Sequence, residues 1–387
     1  MKLGNIRSRI YCTRGLNVYT GSVADGLTAV GRLPSPHAGR KKLRYEFLNR
    51  RHIKRLLEPV VGQYQSSNIW EVSDSTVIAT VGRCLFQSPD SGRSWHFTHE
   101  LASSSPPKGV LPSALCTYGN DIYVAEYSLE REPARVIRST DGGKTWSLFF
   151  ESPEFRHFHG LYVDPYTDKL WGNTGDRDQE SAIGFFDGSE FVPVGSGSQT
   201  WRGVEVAFTA DSILWGQDST FEAEKPVFRL KRDEIQDGSP TPTRVGTTES
   251  VLFYITTVEF GRTGWVVGST SSQTGVDRTA PSGKRRQTCP RDVRVIASPA
   301  SSNYETWYEL LSFERRHTIG DFVDGIPTTD AHAFIAAEAR TGVLVNPYNT
   351  RSYSGSIIRI DPEFFERDHS SDGGYRVDSD RHMEVIA

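Results

Sequence analysis

The chain has 387 residues, with 44 Lys and Arg against 48 Asp and Glu, a formal net charge of −4, 11% aromatics and 35 glycines. This balance gives no global drive toward nucleic acid, and no apolar run is long enough to cross a membrane. The start MKLGNIRSRIYC lacks the apolar core of a signal peptide, and Cys12, Cys84, Cys116 and Cys289 follow no metal or disulfide spacing, which points to reduced thiols and a cytoplasmic chain with no membrane partner.

In chain order, two strand-like runs at 17–19 and 27–30 stand in the first 35 residues and are expected to join the last sheet. Over 40–61 the pattern becomes helical, with Leu43, Phe47, Ile53, Leu57 and Val60 on one stripe. The other face carries Lys41, Lys42, Arg44, Arg50, Arg51, Lys54 and Arg55, a solvated face on a docked helix, with 40–55 as a candidate protein-docking surface. Short strands then recur in groups that start near 69, 114, 159 and 204, a spacing of about 45 residues. Two looser groups, 251–313 and 317–360, complete the run. The stretch 269–291, rich in Ser, Thr, Gly and Arg, reads as a flexible loop and a second candidate partner surface. Residues 1–366 read as one domain and 367–387 as a polar tail.

Two short stretches share a pattern: Ser88-Pro89-Asp90-Ser91-Gly92-Arg93-Ser94-Trp95 and Ser139-Thr140-Asp141-Gly142-Gly143-Lys144-Thr145-Trp146. Each follows an apolar run and leads into an aromatic one, so each is read as a turn between strands. Asp90 and Asp141 suit turn amides, Gly92 and Gly143 suit positive φ, and the tryptophans are large enough to anchor a sheet to its neighbour. The pattern Ser-x-Asp-x-Gly-x-Thr-Trp resembles the Asp-box, or BNR repeat, of the sialidase-like β-propellers. The resemblance implies an all-β propeller, expected to have about six four-stranded blades with one inserted helix. It implies sialidase-like or glycosyl hydrolase-like relatives, but Asp boxes also occur on propellers without that activity.

Strand parity sorts the loops. The two boxes join strands three and four of a blade, so the turns between strands two and three and the links between blades gather on the opposite face. That face receives Glu126, Tyr127, Arg156, His157, His159, Asp176, Arg177, Asp178, Gln199, Trp201, Arg202, Gln217 and Asp218. His157 and His159 share a side of an extended strand and, beside Asp176 and Asp178, can hold a divalent metal. Asp176, Asp178 and Glu126 can supply acid and base groups, with His157 polarising the ligand. Arg156, Arg177 and Arg202 can hold an anion, and Trp201 can stack on a sugar or anchor two blades. Gln199, Gln217, Asp218 and Tyr127 complete the candidate ligand contacts.

In the sialidase resemblance, Arg32-Leu33-Pro34 looks like the family's first arginine motif and Tyr353 lies late in the chain, as the nucleophile does, but no acidic loop matches the family's acid. The leading expectation is therefore a propeller that binds a polar, anionic carbohydrate-like ligand opposite the boxes, with hydrolysis as its chemistry if it is an enzyme. A metal-dependent lactonase or lyase and a non-catalytic protein-binding propeller are the alternatives.

Overall fold

The computed structural model describes residues 1–6, 9–50, 52–53, 67–105, 109–130, 132–219, 224–238, 240–273, 290–323, 329–366, 377 and 382–387. The strands form seven sheets of four, each antiparallel and in chain order. The first sheet holds β1 (Lys2–Ile6), β2 (Ile10–Arg14), β3 (Asn17–Ser22) and β4 (Gly26–Arg32). After α1 (Gly39–Leu48) come β5 (Ser67–Glu71), β6 (Val77–Val81), β7 (Cys84–Ser88) and β8 (His96–Glu100). The third holds β9 (Leu115–Tyr118), β10 (Asp121–Ala125), β11 (Ala134–Ser139) and β12 (Ser147–Ser152). The fourth holds β13 (His157–Asp164), β14 (Lys169–Gly175), β15 (Ala182–Asp187) and β16 (Glu190–Ser196). The fifth holds β17 (Val206–Phe208), β18 (Ser212–Gly216), β19 (Lys225–Lys231) and β20 (Thr243–Thr248). The sixth holds β21 (Leu252–Phe260), β22 (Thr263–Thr270), β23 (Asp292–Pro299) and β24 (Tyr308–Glu314). The seventh holds β25 (His332–Glu338), β26 (Gly342–Tyr348), β27 (Ile358–Ile360) and β28 (Met383–Val385). First strands meet around the axis, with β1 touching both β5 and β25. This is a seven-bladed β-propeller.

Several expectations change. There are seven blades rather than about six, because residues 2–32 make a whole blade instead of joining the last one. The expected tail includes β28, which pairs with β27 and completes the last blade. The described helix ends at Leu48, and the predicted helical positions 51 and 54–61 lie outside the described residues, as does 274–289 of the expected loop. The expected apolar stripe does not pack inward, since Leu43 is 68% and Phe47 49% exposed, and α1 buries Tyr45 instead.

Within each blade the outermost strand is the most exposed. Strands β5, β6 and β7 are buried throughout, whereas β8, reading HFTHE, is exposed or half-exposed. A polar, charged outer strand blunts an edge that would otherwise pair with another chain. Aromatic side chains fill the wedges between sheets: Phe150 of the third blade meets Phe158, Phe186 and Phe191 of the fourth at 5.5–6.3 Å between ring centroids.

Both Ser-x-Asp turns join strands three and four, as parity requires. In the second, Asp141 Oδ1 accepts from the Thr145 amide at 2.9 Å and Oδ2 from the Thr145 hydroxyl at 2.7 Å, while the Gly143 amide donates to Ser139 Oγ at 2.8 Å. These bonds, the Thr145 amide foremost, hold the Asp141 carboxyl down at about 2. Asp90 is held at about 2 in the same way by Ser94. Gly143 has φ +85, and a Cβ there would stand 2.4 Å from Ile78 Cδ1 of the preceding blade. Trp146 Nε1 donates to Thr98 Oγ1 of that blade at 3.3 Å, so the turn clasps its neighbour and its polar residues are spent on structure.

The ring closes where the first and seventh blades meet. Each owns all four of its strands, so no strand is shared across the junction. The joint includes side-chain packing among Leu3, Ile10, Cys12, Leu344 and Ile357, a bond from the Leu3 amide to Asn346 Oδ1 at 3.1 Å, one from Asn346 Nδ2 to the Met1 carbonyl at 3.4 Å, Lys2 Nζ over the Phe334 ring, and the Met1 amino group on the Gly355 carbonyl.

Candidate functional site

The site is assembled from connections on the face opposite the Ser-x-Asp turns. His157 and His159 open β13, Asp176 follows β14, Arg202 lies in the link to the fifth blade, and Asp218 follows β18. Tyr127 and Ser128 come from the turn between β10 and β11. Three neighbouring blades therefore deliver their loops to one point. His157 and His159 project to one side because successive strand residues alternate, while Phe158 turns into the aromatic wedge.

His157 Nδ1 sits on the Ser128 carbonyl, and His159 Nδ1 lies 2.6 Å from the Gly203 carbonyl. A carbonyl only accepts, so each ring carries an N–H on Nδ1, and a ring whose single N–H sits there leaves a lone pair on Nε2. Those two Nε2 atoms are 3.1 Å apart. Asp176 Oδ1 lies 3.3 Å from that of His159 and 3.6 Å from that of His157. All three residues are buried. Burial drives the His157 pKa down despite the attraction of Asp176, so its ring is neutral at neutral pH. Burial opposes ionisation of Asp176 too, but its carboxyl is held well below the usual carboxylate range, by His157 and His159 when an Nε2 carries a proton and by the Arg202 guanidinium in either case.

Asp176 is also gripped from outside. Arg156 Nη1 donates to Oδ2 at 2.5 Å, and Arg202 Nη2 lies 3.4 Å from Oδ1 and 3.2 Å from Asp218 Oδ2. Tyr127 packs at a tilt of 35° on His157 with centroids 4.1 Å apart. Gly175 backs the cluster, since a Cβ there would come 2.6 Å from His159 Cε1 and 3.1 Å from its Nε2.

The remaining sequence candidates divide. Gln199 Nε2 bridges the Asp176 carbonyl at 3.1 Å and Asp178 Oδ1 at 2.8 Å, so it braces the loop. Asp178 and Arg177 are exposed beside the cluster rather than in it, with Arg177 near Glu180. Glu126 is not brought to the histidines. It accepts from the amides of Ser103 and Ser104 and faces Arg135, and burial raises its carboxyl. Gln217 is buried next to Asp218. Trp201 is no sugar platform: its indole is buried, stacked on Trp215 at 5.5 Å with Gly195 packed against it. Arg32 ends the outer edge strand β4, and Tyr353 is exposed in a turn of the seventh blade, so neither holds the place the sialidase resemblance implies. Sequence reasoning missed the Ser128 and Gly203 carbonyls, because backbone atoms carry no residue-type signal. It also missed Glu205, which accepts the Ile255 amide at 3.0 Å and whose carboxyl burial pushes up to about 8.

No family model and no curated protein matches the chain. Solved structures do. An ancestral GH74 enzyme matches with TM-score 0.52 at 10% identity, over 92% of this chain and 44% of that one. A GH74 enzyme of Niastella koreensis matches with TM-score 0.48 at 12% identity, over 94% of this chain and 54% of that one. The likeness is one of fold. YCF48 bound to D1 peptide also matches, with TM-score 0.45 at 12% identity over 78% of this chain and 79% of that one. This chain thus spans about half the length of the two GH74 proteins. Among the described residues no helix is long and apolar enough to cross a membrane.

Proposed function

We propose that this propeller binds a divalent metal through His157, His159 and Asp176 and uses it to hold a polar, anionic ligand on the face opposite the Ser-x-Asp turns. The observation that carries the reading is the convergence of three lone-pair atoms at 3.1, 3.3 and 3.6 Å, two of them on imidazoles whose tautomer a carbonyl fixes. Ligand bonds of about 2.0–2.1 Å in tetrahedral array separate neighbouring ligand atoms by about 3.3 Å. Carbonyl-anchored imidazoles are also the usual support behind metal-ligating histidines. Three protein ligands leave a fourth position, the arrangement of catalytic rather than structural zinc.

Charge supplies the ligand class. Arg156 and Arg202 balance Asp176 and Asp218, two against two, so a dication leaves two positive charges in excess. A carboxylate or sugar acid offsets one of them, with Arg156, half-exposed at the rim, as its first contact. When bound, the ion supplies Lewis acidity, which suits ester or lactone hydrolysis better than a carboxylate-pair glycosidase mechanism, because Asp176 stays ionised and Glu126 stands apart. The competing occupant of the same space is a proton on one Nε2.

Elemental analysis of protein grown with zinc, manganese and cobalt decides between them. We expect about one ion per chain, lost in His157→Ala and in His159→Ala. Metal-free wild type after such growth, together with an imidazolium proton signal in NMR, would overturn the reading.

A further inference from the structure

We propose that α1 and the cleft beside its C-terminal end dock this protein on an anionic phospholipid surface. At about 100° per residue, Leu43 and Phe47 stand roughly 40° apart on the helix, and Tyr45 lies roughly opposite them. Tyr45 is 7% exposed and seats the helix on the ring, which turns Leu43 and Phe47 outward at 68% and 49% exposure. Arg40 and Arg44, both exposed, flank this apolar ridge on one side, and on the other stand Glu46, the helix's one acid, and then the exposed Lys42. An outward apolar ridge between cations is the form of a helix that lies in a membrane interface.

The cleft is a second, independent feature. It encloses about 300 Å³ and is lined by Arg14, Arg32, Arg50 and His52 with Asn17 and Asn49, and no acid lines it among the described residues. Among the described residues none of the three arginines forms an ion pair, and Arg32 donates to Asn17 Oδ1 at 3.2 Å. Parity places it on the ligand-binding face, since the turn between β2 and β3 and the link after β4 both lie there. A cationic cleft beside an outward apolar ridge fits a lipid phosphate in the cleft with Leu43 and Phe47 entering the acyl boundary. A protein groove would meet the ridge with apolar side chains but gives no reason for the excess of positive charge around both ridge and cleft.

Co-sedimentation of the full chain with vesicles tests this. We expect binding to phosphatidylcholine vesicles that contain phosphatidylserine or phosphatidylglycerol, weakening as salt rises, and little binding to phosphatidylcholine alone. Leu43→Ser with Phe47→Ser should lower the partition coefficient at least about tenfold, and Arg14→Gln or Arg50→Gln about fivefold each. These positions lie at the surface, and unchanged circular-dichroism melting keeps any loss of binding interpretable. Equal binding to neutral vesicles, or a Leu43/Phe47 double variant that binds like wild type, would overturn the proposal. So would binding of inorganic phosphate or of a soluble inositol phosphate without any vesicle binding, since the cleft would then serve a free anion.

Discussion

Asp176→Asn keeps the size of the side chain and removes its charge. In the folded protein that charge is held by Arg156 at 2.5 Å and Arg202 at 3.4 Å, and it faces both histidines. Removing one partner of a buried ion pair costs about 3–5 kcal/mol. Here the cost is reduced, because Asn retains an acceptor oxygen, Arg202 keeps Asp218 at 3.2 Å, and Arg156 is partly solvated. About 2–3 kcal/mol remains. An unfolding entropy of about 2.1 cal/mol/K per residue, over 387 residues, converts 1 kcal/mol into about 1.2 °C, so the metal-free variant should melt about 3 °C below wild type. A metal at about 100 times its Kd adds about 2.7 kcal/mol to the protein that binds it, or about another 3 °C, and the variant should gain almost none of this. Calorimetry of both proteins, with chelator and then with zinc, reads the two gaps. A gap that zinc leaves unchanged would refute the metal reasoning and reduce the cluster to a structural ion network.

Two further outcomes follow from single contacts. Gly175→Ala should force the His159 ring aside, since the new Cβ would stand 2.6 Å from Cε1; the expected cost is about 1–3 kcal/mol of stability, together with loss of metal retention in elemental analysis. Glu205 has a folded pKa raised from 4.5 to about 8 by burial, so its contribution to stability is full below about 4.5 and is lost as pH rises through about 8. Glu205→Gln should therefore melt close to wild type at pH 4.5 and about 2–4 °C above it at pH 8; a difference that does not grow with pH would show that Glu205 is ionised in the fold.

Much of the scaffold was legible because its signals are local. The Ser-x-Asp turns announce themselves through turn chemistry, and strand parity then places the loops of the site on one face. The first blade was missed because its inner strand, Lys2–Ile6, offers only Leu3 and Ile6 as apolar residues, and the apolar part of its partner is a short run bracketed by Arg9 and Arg14. The helix stripe was misread because amphipathic periodicity does not say which side faces the ring, and one aromatic, Tyr45, decided it. At the site, His157, His159, Asp176, Arg202 and Asp218 could be named from their loops. Trp201 could not be assigned, since an indole beside glycines reads alike whether it stacks on a ligand or, as here, on Trp215.

The junction between the first and seventh blades has a mechanical meaning. Most neighbours in the ring are joined by a covalent link as well as by packing, whereas this pair is held by non-covalent contacts, among them a small apolar cluster, the Leu3 amide bond to Asn346 and the Met1 contact with Gly355. Under tension between its two outer blades the ring should part there first, like a clasped bracelet. Amides along Lys2–Ile6 should then exchange with solvent earlier than those of Ser67–Glu71, the corresponding strand one blade on.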